Sequence, residues 1–268
     1  MKPYRLLFIT LLSIVGLTNL YAGVAIMNGL THVHSGQNGN VITGVIKMKN
    51  DGKKVVRMII YQQDLILSCD KPVDYQGSNT HDRSLGKWMK TNVEEKVMEP
   101  FEEYEVSYNI DIPKDAKEKG TYWGVIMVES GDPVTEKTAQ GVSINSKTRY
   151  AIQILMDVGT PTAGTLTFEK LELQKKTVDS TKTSSQVIAV KIKNSGIYYA
   201  KTKLSIEIYN ANGDKVKVLE GLSKRIYPDR CNEFFLEVKE LPKGKYEGVI
   251  VADNGKELFG SNISLEIE

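Results

Sequence analysis

Short runs in which apolar and polar residues alternate, Asn and Gly turn signals between those runs, and one order of signals that occurs twice predict an all-β protein. The predicted architecture is two tandem immunoglobulin-like β-sandwich domains after a signal peptide. Period-two alternation marks strands with one buried face. It is seen at Val41, Thr43, Val45 and Met48 around Lys47 and Lys49, at Val106, Tyr108, Ile110 and Ile112, and at Ile188, Val190 and Ile192. Asn50-Asp51-Gly52, Asn194-Ser195-Gly196 and Asn212-Gly213 fall between such runs, where side chains that tolerate or favour tight turns are expected.

The repeat sets the domain count. Gly44 to Gly52, with Lys49-Asn50, is followed by an apolar run Val55 to Tyr61, then Glu99-Pro100, then Gly120 to Val128. Val187 to Gly196, with Lys193-Asn194, is followed by Leu204 to Tyr209, then Tyr227-Pro228, then Gly244 to Val251. Both copies close on a Gly-Val-Ile triplet, and the first copy is longer. Gly159 to Gly164, with a proline inside it, breaks two strand-like runs and places the boundary. The division expected is therefore 1–22 signal peptide, 23–160 first sandwich, 161–268 second sandwich. The polar stretch Lys175 to Ser185 reads as an exposed loop, because Leu166 to Leu173 already alternates like a strand. One short turn is expected at Asp115 to Lys119.

The first residues order a basic pair (Lys2, Arg5), an apolar run from Leu6 to Leu20, and small residues ending at Ala22, which is the arrangement of a secretory signal peptide. Periplasmic or secreted localisation is the expectation. No later stretch is apolar enough to span a bilayer, so no transmembrane segment is expected in the mature form. Without Lys2 and Arg5 the acids and bases balance. Phosphate neutralisation, which supplies most nucleic-acid affinity, needs a basic excess or stripe that is missing here, so no nucleic-acid partner is expected. Cys69 and Cys231 are the two cysteines. An oxidising compartment permits a bond between them, but they fall in different domains, and two separate thiols are the expectation.

Chemistry-bearing constellations are sparse. His32 and His34 share one face of a strand but lack a third metal ligand, so no metal is expected. His81 stands beside Asp82 and Arg83 without a positioned nucleophile. Glu94-Glu95 and Glu102-Glu103 are adjacent in sequence and read as solvated surface. Phosphate-binding and dinucleotide fingerprints are missing, and neither a cofactor nor an enzymatic activity is expected. Tyr198-Tyr199 reads as packing on a sandwich face, with a glycan or protein contact as the alternative.

The order of elements in residues 24 to 160 resembles the first domain of the periplasmic pilus-assembly chaperones, proteins of two immunoglobulin-like domains set in an L. The resemblance is carried by Ser35-Gly36 before a strand, Val45 to Asn50, a second strand ending at Gln63-Asp64, Pro100 before Tyr104 to Ile112, Pro113 to Ala116, Gly120 to Glu129, and Val142 to Val158 in the place of a long last strand. It implies a chaperone-like protein that binds secreted or pilus subunits through strand edges and the inter-domain cleft. In that family the last strand lends alternate apolar side chains to a client by strand addition. Here these are Val142, Ile144, Tyr150, Ile152, Ile154 and Met156, and alternation alone leaves open whether that face is donated or buried in its own sandwich. The resemblance also implies Arg149 as an anchor for a client's terminal carboxylate. Thr31 stands where the family has a second basic anchor. The partner expected is a protein client or an envelope assembly component, and the alternative function is a structural or adhesion module of a cell-envelope or secretion assembly.

Overall fold

The structure, a computed structural model, describes residues 23–116, 118–130, 134–137, 143–178, 183–238 and 241–267. The expected signal peptide, residues 1–22, lies outside them. The first part of the chain forms β1 (Val24–Ile26), β2 (Thr31–Gly36), β3 (Val41–Asn50), β4 (Val56–Ile66), β5 (Asp74–Gly77), β6 (Met89–Thr91), β7 (Glu95–Met98), β8 (Glu103–Asp111), β9 (Gly120–Ser130), β10 (Val134–Lys137), β11 (Ser143–Ser146) and β12 (Arg149–Val158). The rest forms β13 (Leu166–Val178), β14 (Thr183–Asn194), β15 (Ala200–Tyr209), β16 (Lys215–Glu220), β17 (Lys224–Ile226), β18 (Cys231–Val238), β19 (Gly244–Asp253) and β20 (Leu258–Ile267). Among the described residues no helix is long and apolar enough to cross a membrane.

The fold is all-β, with two immunoglobulin-like sandwiches. In the first, a sheet ordered β1-β3-β8-β6 faces a six-stranded sheet ordered β2-β12-β9-β4-β5, with β7 also on β4. In the second, β13-β14-β18 faces β16-β15-β19-β20, with β17 also on β15. The alternating residues close both cores: Ile46, Met48, Val106, Tyr108 and Ile110 in the first, Ile188, Val190, Ile192, Leu204 and Ile206 in the second. Lys175 to Val178 and Thr183 to Ser185 depart from the expected loop, the rest of which lies outside the described residues. β13 and β14 pair through Lys175↔Gln186 and on to Val178↔Thr183. Polar side chains do not oppose strand formation where the backbone of a neighbouring strand supplies partners, and reading polarity as loop missed this.

The Lys-Asn repeat has a physical cause. Asn50 and Asn194 are fully buried, and each ends a strand with its carboxamide turned into the loop that follows. Asn50 Nδ2 donates to the carbonyls of Lys54 and Glu99, and its Oδ1 accepts from Gly52 N. Asn194 Nδ2 donates to Tyr198 and Ile226, and its Oδ1 accepts from Gly196 N. The main chain of each asparagine then binds the equivalent X-Pro turn: Phe101 N donates to Asn50 O, and Asp229 N donates to Asn194 O. Phe101 and Asp229 both adopt positive φ, 64° and 55°, so the repeated Glu99-Pro100 and Tyr227-Pro228 motifs make the same strained turn against the same clamp.

Replacing Asn194 with Ala leaves two buried carbonyls and the Gly196 amide without a partner. A loss of roughly 2–4 kcal/mol is expected at about 1–3 kcal/mol per orphaned group, allowing for partial relaxation. Urea denaturation of wild type and variant measures it.

Candidate functional site between the two sandwiches

β9 positions the site. Its eleven residues are all buried, unlike any other strand of the chain among those with described side chains. Even-numbered residues such as Ile126 and Val128 face the first core, while Trp123, Val125 and Met127 face away from it. That second apolar face is covered by Leu65 and Leu155 from the same sheet and by Tyr227, with Tyr199 alongside, from the second sandwich. Trp123 donates its indole N–H to Leu65 O at 2.9 Å and meets the Tyr227 ring edge-on at 5.1 Å between centroids. Each such buried side chain is worth roughly 1.5–3 kcal/mol of apolar transfer.

Polar contacts fix the angle between the sandwiches. Thr121 N donates to Ile197 O at 2.8 Å, Tyr199 N donates to Thr121 Oγ1 at 2.8 Å, and the Thr121 hydroxyl donates to Asp157 Oδ1 at 2.5 Å. Burial pushes the Asp157 carboxyl above the usual carboxylate range. Tyr198 donates its hydroxyl to Val158 O at 2.9 Å. The Tyr198-Tyr199 pair therefore packs within the chain, at the junction. Lys191 Nζ reaches Asp70 Oδ1 at 2.6 Å, and beside that pair Cys69 and Cys231 form a disulfide with Cα atoms 4.7 Å apart. Two separate thiols had been expected. Membership of different domains kept them apart in sequence, 162 residues in all, whereas docking on the second face of β9 brings the end of β4 against the start of β18.

Register decides where the residues implied by the resemblance stand. Ile152, Ile154 and Met156 are fully buried in the first sandwich's own core, and Tyr150 is half-buried against it. The face of β12 turned towards the second sandwich is the odd-numbered one: Arg149, Ala151, Gln153 and Leu155. Val142 lies outside the described residues. Ile144 lies on β11, where its backbone pairs with Glu136. The run Val142 to Val158 is interrupted at Lys147-Thr148 rather than forming one long strand.

Arg149 is 54% exposed and donates Nε to Glu129 Oε2 at 2.7 Å. The Tyr61 hydroxyl, donating at 2.8 Å, and this guanidinium together hold the Glu129 carboxyl below its ordinary range. Thr31 is not level with Arg149. It pairs with Gln153, four residues or ~13 Å further along the strand. The basic group beside Thr31 comes from the second sandwich: Arg225 on β17 donates Nη1 to Thr31 Oγ1 at 3.4 Å. Its Nε is buried without a partner, and among the described residues no acid lies within ion-pair distance of it. Tyr227 donates its hydroxyl to Gln153 Oε1 at 2.7 Å in the same place. No sequence signal pointed to Arg225, because only the docking of the two sandwiches brings β17 to β2.

The other candidates resolve locally. His32 and His34 both contact the Tyr108 hydroxyl. His81 stacks on Trp123 at 4.5 Å, with Asp64 rather than Asp82 as its nearest acid, at 3.9 Å. Glu95 and Glu102 pair with Arg57 and Lys96. Among the described residues no group of three or more His, Cys, Asp or Glu is placed to hold a metal ion.

The chain resembles fimbrial periplasmic chaperones at a distance. No family model matches the sequence, and no curated protein matches it. Among solved structures, the chain is similar to the class 5 fimbriae chaperone CfaA, with 13% identity, a TM-score of 0.49, and 90% of this chain and 98% of that chain covered. It is also similar to a chain of the chaperone–tip adhesin complex of CFA/I fimbriae biogenesis (14% identity, TM-score 0.47, 90% and 98% covered). A third is the CsuC–CsuE pre-assembly complex from archaic chaperone-usher Csu pili of Acinetobacter baumannii (10% identity, TM-score 0.45, 90% and 98% covered).

Two outcomes test this geometry. Ile152→Asp buries a carboxylate in the first core and should unfold that sandwich, a loss of about 4 kcal/mol or more, read by circular dichroism and denaturation. Cys69→Ser should lower stability by about 2–5 kcal/mol, and wild type should show no reactive thiol under denaturing, non-reducing conditions.

Proposed function

We propose that this is a periplasmic, non-enzymatic, chaperone-like protein that binds secreted or pilus subunits along the edge of β12 and in the cleft between the sandwiches. The observation that carries the reading is the coincidence, on one surface, of an open strand edge and a cation without an acid partner among the described residues. β2 covers the β12 edge only from Gln153 onward, and among the described residues no strand pairs with that edge at Arg149 to Ile152. An extended client segment laid there would add a strand, the backbone supplying affinity. Arg225, with Thr31 and Gln153 beside it, faces the direction in which that strand would continue. A terminal carboxylate would satisfy its buried Nε–H, which otherwise costs about 1–3 kcal/mol.

Arg149 keeps a part in this reading as the cation at the outer end of the edge, with one nitrogen engaged by Glu129. Ile152 and Ile154 contribute by holding β12 straight rather than by touching the client. Val142 and Ile144, in the segment preceding β12, are the candidates for donated apolar side chains. The order of motifs over residues 24 to 160 supports the same reading.

The test is recovery of partners from an envelope extract with the tagged mature protein, identified by mass spectrometry. Enrichment of β-rich secreted or pilus subunits is expected. Arg225→Ala should reduce their recovery about tenfold or more, the equivalent of one charge-assisted hydrogen bond, and Arg149→Ala by less. Recovery of a fixed membrane complex, unaffected by either substitution, would overturn the proposal and favour a structural or adhesion module.

A further inference from the structure

β2 decides how much of the β12 edge is open. It is an edge strand, parallel to β12, with Thr31 to Gly36 opposite Gln153 to Val158. The backbone edge beneath it continues the edge already exposed at Arg149 to Ile152. On the core-facing side of β2 two histidines share one hydroxyl. His32 Nδ1 lies 2.7 Å and His34 Nε2 2.8 Å from Tyr108 Oη, and the Tyr108 ring is stacked on His32 and edge-on to His34.

A phenol hydroxyl has one proton to give. With both imidazoles neutral, Tyr108 donates to one and accepts from the other, so both contacts are satisfied. A further proton on the accepting imidazole turns it into a donor. Two N–H groups then point at one oxygen, and the hydroxyl proton has lost its acceptor. Compensation for a charge there is limited to backbone carbonyls beside His32. The residues level with the histidines on β12 are Ile154 and Met156, β8 presents Tyr108 itself, and the turn before β2 presents the Asn28 and Gly29 carbonyls, whose effect is smaller than that of burial. Each imidazolium would also repel the other.

We propose that protonation of the His32–His34 pair releases β2 from β12 and opens one continuous strand edge from Arg149 to Val158 to an extended polypeptide segment. This rests on the reading of β12 as the client-binding edge. Burial holds both imidazoles below their ordinary value of about 6.5. The folded state therefore binds fewer protons than the unfolded one. The docking energy of β2 is fully present above about pH 6.5 and is lost as the pH falls below it.

Hydrogen exchange of the full chain at pH 7.5 and 5.5, corrected for intrinsic rates, tests the release. Its companion is association of a short synthetic peptide of alternating Val and Thr with a free carboxyl terminus. At pH 5.5 the amides of Thr31 to Gly36 and Gln153 to Val158 should exchange faster, relative to the second sandwich, than at pH 7.5. The peptide should bind correspondingly tighter. His32→Gln with His34→Gln should remove both pH dependences, and Tyr108→Phe, which keeps the imidazoles but deletes the shared hydroxyl, should raise exchange of β2 already at pH 7.5. Equal exchange at both pH values, or the same rise in the histidine variant, overturns the release. Release without a gain in peptide affinity leaves the β2 switch standing and overturns the assignment of this edge to a client.

Discussion

A strand that is apolar on both faces has to be covered twice, and β9 is covered once by the first sandwich's core and once by the second sandwich. The two coverings differ in kind. The inner one is the interdigitation of two sheets through Ile126, Val128 and their partners. The outer one is made by a few residues, chiefly Tyr227 against Trp123, and such a small apolar contact would leave two domains free to rock. The disulfide from Cys69 to Cys231, the Lys191–Asp70 pair and the Thr121–Asp157–Tyr199 hydrogen bonds remove that freedom. Because β9 neighbours β12 and β4 in one sheet, fixing the second sandwich on β9 also fixes Arg225 against Thr31. The cleft is therefore a consequence of how one central strand is buried.

This explains which parts of the architecture were legible in the sequence. Strands buried on one face announce themselves by alternation, as Val106 to Ile112 and Ile188 to Ile192 do. The continuous apolar run from Tyr122 to Val128 carried the further message that both faces are covered, and in hindsight it was the signal for the docked second domain. The disulfide was not legible, since the argument from separate domains assumed that domains keep their cysteines apart. Arg225 was hidden for the same reason. Parity on β12 was the remaining difficulty: alternation identified Ile152, Ile154 and Met156 as one face, and only register against β2 and β9 shows that this face is core while Arg149, Ala151 and Gln153 look into the cleft.

The internal repeat shows a different kind of legibility. Lys49-Asn50 and Lys193-Asn194 were recognisable as turn signals, which they are, but the turn alone does not require a fully buried asparagine. Asn50 and Asn194 each tie their own strand end to an X-Pro turn distant in sequence, through both the carboxamide and the main chain. In the second sandwich that turn is Tyr227 to Arg230, so Asn194 holds in place the tyrosine, one residue beyond β17, that covers Trp123 and, through Ile226 O, the end of the strand that carries Arg225. A clamp that in the first copy joins a strand end to its X-Pro turn has, in the second, become part of the junction.

The same economy applies to β2. An exposed parallel edge strand is a marginal element, with one neighbour in its sheet and few core side chains, and Thr31 to Gly36 places two histidines at positions where aliphatic residues would have held it more firmly. Gly36 leaves room for Met156 and Ile112, whose side chains come within 3.0 Å of where a β-carbon would stand. Gly44 likewise lies directly beneath the Tyr108 ring, at a distance that no β-carbon would tolerate. The ring is thereby set into the sheet at the depth where its hydroxyl meets both imidazoles. A sequence selected only for stability would put apolar side chains in place of the two histidines. Their presence fits a strand whose attachment is meant to be conditional, on a protein whose other junctions are locked by covalent and buried polar contacts.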